Sequence, residues 1–196
     1  MRKLIVLFSF LIVSSSLFAA DAVPLSTSIK FDAQPKLRSE PITLVFSSDL
    51  SRLTIDKRMR LMRLEFPLGN AVAANTEAAL RSAFQKVKLA RSLDEVETNL
   101  SLEAKSLEVN PKMPMTTFGT FTSKVKYTFV LRDKKAKSER EITVEGDGGN
   151  KKNAGRVIWE SGWKWTEAQQ LAKATDLATV EALDQLIVEL LRELTK

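Results

Sequence analysis

Four features of this chain have residue types that could do chemistry. The first is Ser161-Gly-Trp-Lys164, an S-x-x-K pattern of the kind that activates a serine with a neighbouring lysine. In that chemistry the motif opens a buried helix and is completed by S-D-N and K-T-G. Here K-T-G is absent, and Ser48-Asp49 runs on to Leu50. The second is a glycine pattern, Gly146-x-Gly148. A dinucleotide loop needs G-x-G-x-x-G between a strand and a helix, and Lys151 occupies the third glycine position. A Walker loop fails too, because Gly149 to Gly155 has the wrong spacing and Arg156-Val157 follow it. The third is a set of carboxylates: Glu139 with Glu141, the group Asp94, Glu95 and Glu97, and Glu145 with Asp147. The first pair shares a solvated strand face and the group lies near a helix start. The last pair offers too few oxygens for calcium, which takes six to eight.

The fourth is a set of cations and tryptophans. Gly146 to Trp165 holds five of the seven glycines and all three tryptophans. It includes Lys151, Lys152, Arg156, Trp159 and Trp163, which could bind an anionic partner or an interface. A second basic cluster, Lys57, Arg58, Arg60 and Arg63, lies upstream. If the basic segments met in space they would form one surface for an anionic ligand. Otherwise the upstream cluster protects a strand edge. Trp163 and Trp165 share strand parity and are expected to cover one end of the core; an exposed aromatic patch is the alternative.

The chain contains no histidine and no cysteine. Serine–histidine and cysteine–histidine catalysis are thereby excluded, as is imidazole as a general base. A zinc site loses its usual ligands. No cofactor and no metal are expected. An enzyme would have to work with carboxylates or a serine–lysine pair.

The N-terminus indicates export. Arg2 and Lys3 precede the apolar run Leu4 to Val13, and the small residues of LFAADA follow. That is the secretory leader pattern. The run is short for a spanning helix, which needs about 20 apolar residues. Residues 1–20 read as a cleaved signal peptide, with cleavage after Ala20 or after Ala22. Residues 21–40 read as an extended arm and 41–196 as a single domain. No segment after the leader is apolar enough to span a bilayer. The expected location is periplasmic or secreted, with peripheral outer-membrane association.

Losing Arg2 and Lys3 lowers the formal charge from +6 to +4, well short of a dedicated nucleic-acid binder. Lys124 to Lys164 carries eleven Lys/Arg against six Asp/Glu, whereas Trp165 to Lys196 carries three against six. The basic side therefore precedes the last helix.

Periodicity supplies the elements. Ile42 to Val45 is a β-branched run, and Leu64, Phe66 and Leu68 alternate. Val72, Thr76, Leu80, Ala83 and Phe84 form a helical stripe, with Asn70 as the expected cap and an end near Gln85. Val87 and Leu89 suggest a short strand, and Ser92 to Glu95 a capping box. Leu100, Leu102 and Ala104 alternate, then Leu107 and Val109 continue on the opposite parity, which predicts a bulge. Val125 to Leu131 and Ile142 to Val144 predict a hairpin turning at Asp133. Thr166 to Gln169 forms a capping box opening a helix over 167–194. The expected fold is α+β: a two-layer sandwich with a mainly antiparallel sheet of 4–6 strands and two long helices packed on one face.

This succession resembles the YajG-like lipoproteins and, more distantly, the lipopolysaccharide-assembly lipoprotein LptE. The strand Ile42 to Ser47, the helix Val72 to Phe84, the strand Asn99 to Glu103, the hairpin Val125 to Asp133 with Ile142 to Gly146, and the closing helix carry the resemblance. Those families anchor through a lipid on cysteine, which this chain lacks. The resemblance implies a non-enzymatic envelope protein whose partner is an envelope complex or an anionic envelope component. An envelope hydrolase acting on glycan or peptide, and a lipid or anionic-polymer carrier, are the alternatives.

Overall fold

The computed structural model describes residues 20–35, 37–59, 62–115, 120–149 and 166–195. A five-stranded sheet in the order β5-β2-β6-β7-β8 forms one layer. Its strands are β2 (Ile42–Val45), β5 (Val87–Ala90), β6 (Leu100–Lys112), β7 (Thr122–Asp133) and β8 (Ser138–Asp147). A smaller sheet, β1-β4-β3, combines β1 (Asp21–Ala22), β3 (Ile55–Met59) and β4 (Met62–Phe66). The helices are α1 (Ser48–Ser51), α2 (Leu68–Arg81) and α3 (Glu167–Glu193). The fold is α+β, as the periodicity indicates.

β6, β7 and β8 form an antiparallel meander, the longest ladder in the molecule. The predicted bulge is present: pairing jumps from Ala104–Phe129 to Ser106–Thr128, leaving Lys105 as the extra residue. The slip keeps Leu100, Leu102, Leu107 and Val109 on the buried face despite their change of parity. At the hairpin end, Asp133 Oδ1 accepts the N–H of Lys135 and of Ala136. The turn then closes through Lys137 at φ 50°.

β2 pairs in parallel with both β5 and β6. Each needs a return of the chain to the end of the sheet from which β2 started: α2 provides it for β5, and residues 91–99 provide it for β6. All four residues of β2 are buried, as a strand covered on both faces requires. α1 and the β3–β4 pair of the smaller sheet occupy the connection from β2 to β5.

Two boundaries differ from expectation. α2 begins at Leu68 behind Pro67, and Asn70 lies inside its first turn instead of capping it. Gly69 permits the earlier start, because a Cβ there would come within 2.0 Å of the Leu50 carbonyl oxygen. α2 also ends earlier, at Arg81, where the N-terminal segment takes over: the Gln85 N–H donates to the Arg38 carbonyl, and the Arg38 N–H to that of Ala83. Ser92 to Glu95 forms a 3-10 turn without the Ser92 cap. Instead the Glu95 carboxylate accepts the Arg91 N–H.

The Thr166 capping box forms in both directions, with Thr166 Oγ1 accepting the Gln169 N–H and Gln169 Oε1 accepting that of Thr166. α3 then packs along β7 and β8. A buried polar line runs between helix and sheet: Tyr127 to Thr179 at 2.8 Å, Thr179 to the Thr175 carbonyl at 2.9 Å, and Thr175 to Ser123 at 3.0 Å. These bonds fix the helix lengthwise. Laterally the contact is closer still. A Cβ on Gly146 would meet the Ala178 carbonyl oxygen at 1.8 Å, and one on Gly148 that of Ala174 at 1.8 Å. The glycines at the end of β8 admit the helix backbone.

Gly146→Ala is therefore expected to force α3 off the sheet and to destabilise by about 1–3 kcal/mol. Thermal unfolding should show a Tm lower by roughly 2–12 °C. An unchanged Tm would show that the backbones are not in contact.

Candidate functional site

β3 and the β6–β8 meander together line an open groove of about 480 Å3. Lys57 and Ile55 come from β3; Glu108, Val109 and Asn110 from β6; Lys124, Val125 and Lys126 from β7; Glu145 from β8. The site follows from strand alternation. On β7 the residues Val125, Tyr127, Phe129 and Leu131 are buried, which turns Lys124 and Lys126 to the outer face. Register sets Lys126 between Glu108 and Glu145, and Lys124 between Asn110 and Asp147.

The lysines are loosely held. Lys124 lies 3.5 Å from Asp147 and Lys126 4.0 Å from Glu145, both exposed pairs. Such pairs contribute about 0–1 kcal/mol and give way readily to another anion. Lys57 is half-buried opposite Leu64, and among the described residues no ion pair holds it.

The other end of the same face is saturated. Arg132 bonds Glu103 at 2.5 Å and Glu139 at 2.9 Å, and Lys105 adds a second contact to Glu103 at 2.8 Å. Burial pushes the Glu103 carboxyl up, but Lys105 and Arg132 outweigh it and hold it below the usual carboxylate range. The ion pairs are therefore tight at the Arg132 end and loose at the Lys124 end, where Lys57, Lys124 and Lys126 lie with Glu108, Glu145 and Asp147.

The sequence candidates divide. Lys57 is in the groove. Its neighbour Arg58 faces the other way, exposed and directly opposite Arg63, which in turn pairs with Asp56. Consecutive strand residues point to opposite faces, so the two do not share one surface. Arg60, Lys151, Lys152, Arg156, Trp159 and Trp163 lie outside the described residues, as do Trp165 and the Ser161–Lys164 pattern.

The carboxylate candidates have other occupations. Glu139 holds Arg132, Glu97 pairs with Lys88 at 2.7 Å, and Asp147 accepts the Gly149 N–H at 2.9 Å. Among the described residues no cluster of acids is placed to hold a metal ion.

The most perturbed acid was not a sequence candidate. Asp176, on α3, is 2 % exposed. Both its oxygens lie 3.1 Å from the Ser26 N–H. Burial raises its pKa well above the usual carboxylate value, and the Ser26 bond only partly offsets that. Asn75 completes the clasp: its amide donates to the Ser26 carbonyl at 2.7 Å and its oxygen accepts the Ile29 N–H at 3.0 Å. Asp176 holds the N-terminal segment and opens onto no groove described here. One signal was available: it stands between Ala172 and Val180 at four-residue spacing, both of them apolar and buried.

No family model and no curated protein matches the chain. The solved structures similar to the chain include two bacterial lipoproteins. A minor lipoprotein of Acinetobacter baumannii is 11 % identical over 79 % of this chain and 92 % of its own, with a TM-score of 0.40. A Xanthomonas campestris protein of family DUF330 is 12 % identical over 88 % and 91 %, with a TM-score of 0.39. Lipoprotein B of Nitrosomonas europaea, itself uncharacterised, is 12 % identical over 83 % and 90 %, with a TM-score of 0.38. Among the described residues, no helix is long and apolar enough to cross a membrane.

The Asp176 clasp gives a pH prediction. Its folded pKa lies above the unfolded value of about 3.9. Its contribution is therefore most favourable below that value and is lost as pH rises through the raised pKa. Asp176→Asn keeps an acceptor for Ser26 and removes the buried charge. The variant should melt higher than wild type at pH 8, with the gap narrowing toward pH 4. A lower Tm for the variant at pH 8 would contradict the assignment.

Proposed function

We propose that this is a non-enzymatic binding or assembly-accessory protein of the bacterial envelope. It works in the periplasm, peripherally at the outer membrane, and takes an anionic partner in the groove between β3 and the meander. The observation that carries this is the meeting of Lys57 with Lys124 and Lys126. Lysines more than sixty residues apart in the chain line one open groove, and Lys124 and Lys126 are weakly neutralised. The leader-like N-terminus supports the location. The likeness to the YajG-like and LptE-like lipoproteins, which is one of architecture, enters the same proposal. Lys151, Lys152, Arg156, Trp159 and Trp163, with Arg58 and Arg60, stay in it as candidates from sequence.

The layer between sheet and helices supports binding at the surface over carriage inside. Tyr127, Phe129, Leu100, Leu102, Leu171 and Leu183 fill it, each fully buried. A carrier would need an enclosed apolar cavity of several hundred Å3; the groove of about 650 Å3 between α2 and the β2–β5 edge, lined by Leu44, Phe46, Ala73 and Leu89, is open to solvent.

The test is charge reversal. Lys57→Glu, Lys124→Glu and Lys126→Glu combined should weaken cosedimentation with isolated envelopes, and with vesicles rich in anionic phospholipid, at least tenfold. Wild-type binding should fall as salt rises, since these charges are exposed. Loss only on envelopes assigns the partner to protein or glycan; loss on vesicles assigns it to lipid headgroups. Undiminished binding by a folded triple variant on both would overturn the groove as the site.

A further inference from the structure

The sequence leaves two bonds for removal of the leader, Ala20–Asp21 and Ala22–Val23. Ala20-Asp21-Ala22 supplies the small-residue pattern for the second, and Ala19-Ala20 supplies it for the first. The fold favours the first. Asp21 and Ala22 form β1, paired in parallel with Leu64 and Glu65 of β4. Both are exposed, so a new terminus at Asp21 would be solvated. Val23 is different: it is fully buried, and its N–H donates to the Glu65 carbonyl at 2.8 Å.

Cleavage before Val23 would turn that single N–H into an ammonium group with three donors and a charge. One carbonyl satisfies one donor, and the cut removes the β1 ladder to Leu64 and Glu65 that holds Val23 in place. Nor can the terminus swing out freely. Pro24 restricts Val23 to extended backbone. Beyond it, Ser26 is tied to Asp176 and Asn75, and Ile29 to Asn75. The same cut would strip β1 from β4, whose Leu64 and Phe66 are fully buried members of the main core. β4 also holds β3, and with it Lys57.

We infer that the leader is removed at the Ala20–Asp21 bond, so that the mature protein begins at Asp21 and keeps β1. The reaction is hydrolysis by the export machinery's peptidase. One water adds across the amide, leaving a carboxylate on Ala20 and an ammonium on Asp21. The inference rests on the export proposed above.

Intact-mass measurement of the protein recovered from the exported fraction tests it. The expected mass is that of a chain starting at Asp21. A chain starting at Val23 would overturn the cleavage position alone; a chain retaining its leader would overturn export as well. A second measurement isolates the physical cause. Chains released from a cleavable fusion to begin at Asp21 or at Val23 should differ in Tm by several degrees at pH 6. The gap should narrow at pH 9.5, above the α-amino pKa of about 7.7–8.0. Equal melting at pH 6 would overturn the argument from Val23.

Discussion

The backbones of β8 and α3 touch. Gly146 and Gly148 lie so close to the carbonyls of Ala178 and Ala174 that no side chain fits between them. Much else follows from this contact. It fixes the helix laterally, while the Tyr127–Thr179–Thr175–Ser123 line fixes it lengthwise. It also brings α3 over the free edge of β8, where the Glu181 carboxylate accepts the Asp147 N–H at 2.9 Å and Gln185 lies 3.4 Å from that of Glu145. An open strand edge is an aggregation hazard, and here side chains one helical turn apart close it. With one face of the sheet committed to α2 and α3, the other carries the charge, and its Glu108, Lys124, Lys126 and Glu145 line the groove beside Val109 and Val125.

The second constraint is polar and buried. Asn75 and Asp176 reach from two helices to the backbone of Ser26 and Ile29. Without them the segment after β1 would leave N–H groups unpaired beneath Phe31, where Ile29 packs on Leu177 and Val180. The carboxyl is costly to bury, so its value lies in specifying one path for the chain. That path brings β1 to β4 and lets Arg38 reach the end of α3, where its guanidinium donates to the Leu194 carbonyl at 3.2 Å.

The local features were legible in sequence because they are local. A parity slip between Ala104 and Leu107 announced the bulge, alternation from Val125 to Leu131 gave β7, and Thr166 with Gln169 marked the start of α3. What escaped depends on partners distant in sequence. The parallel pairing of β2 depends on where α2 returns the chain, and the end of α2 on Arg38. The glycines after Val144 resemble a ligand loop until a helix more than twenty residues on is laid against them. The groove was half legible: Lys57 stood out within a basic cluster, but Lys124 and Lys126 did not, and only the fold shows that they line one groove with Lys57 while Arg58 turns away.

The groove requires that Lys57 of β3 and Lys126 of the meander lie together. The absence of native cysteine makes it directly measurable. Lys57→Cys and Lys126→Cys together introduce the only two thiols of the chain. A short bifunctional thiol reagent should link them within one folded molecule, nearly completely, while a Arg58→Cys and Lys126→Cys control, with Arg58 on the opposite face, should link poorly. Equal linkage of both pairs, or none above the unfolded chain for the first, would contradict the groove and the function proposed for it.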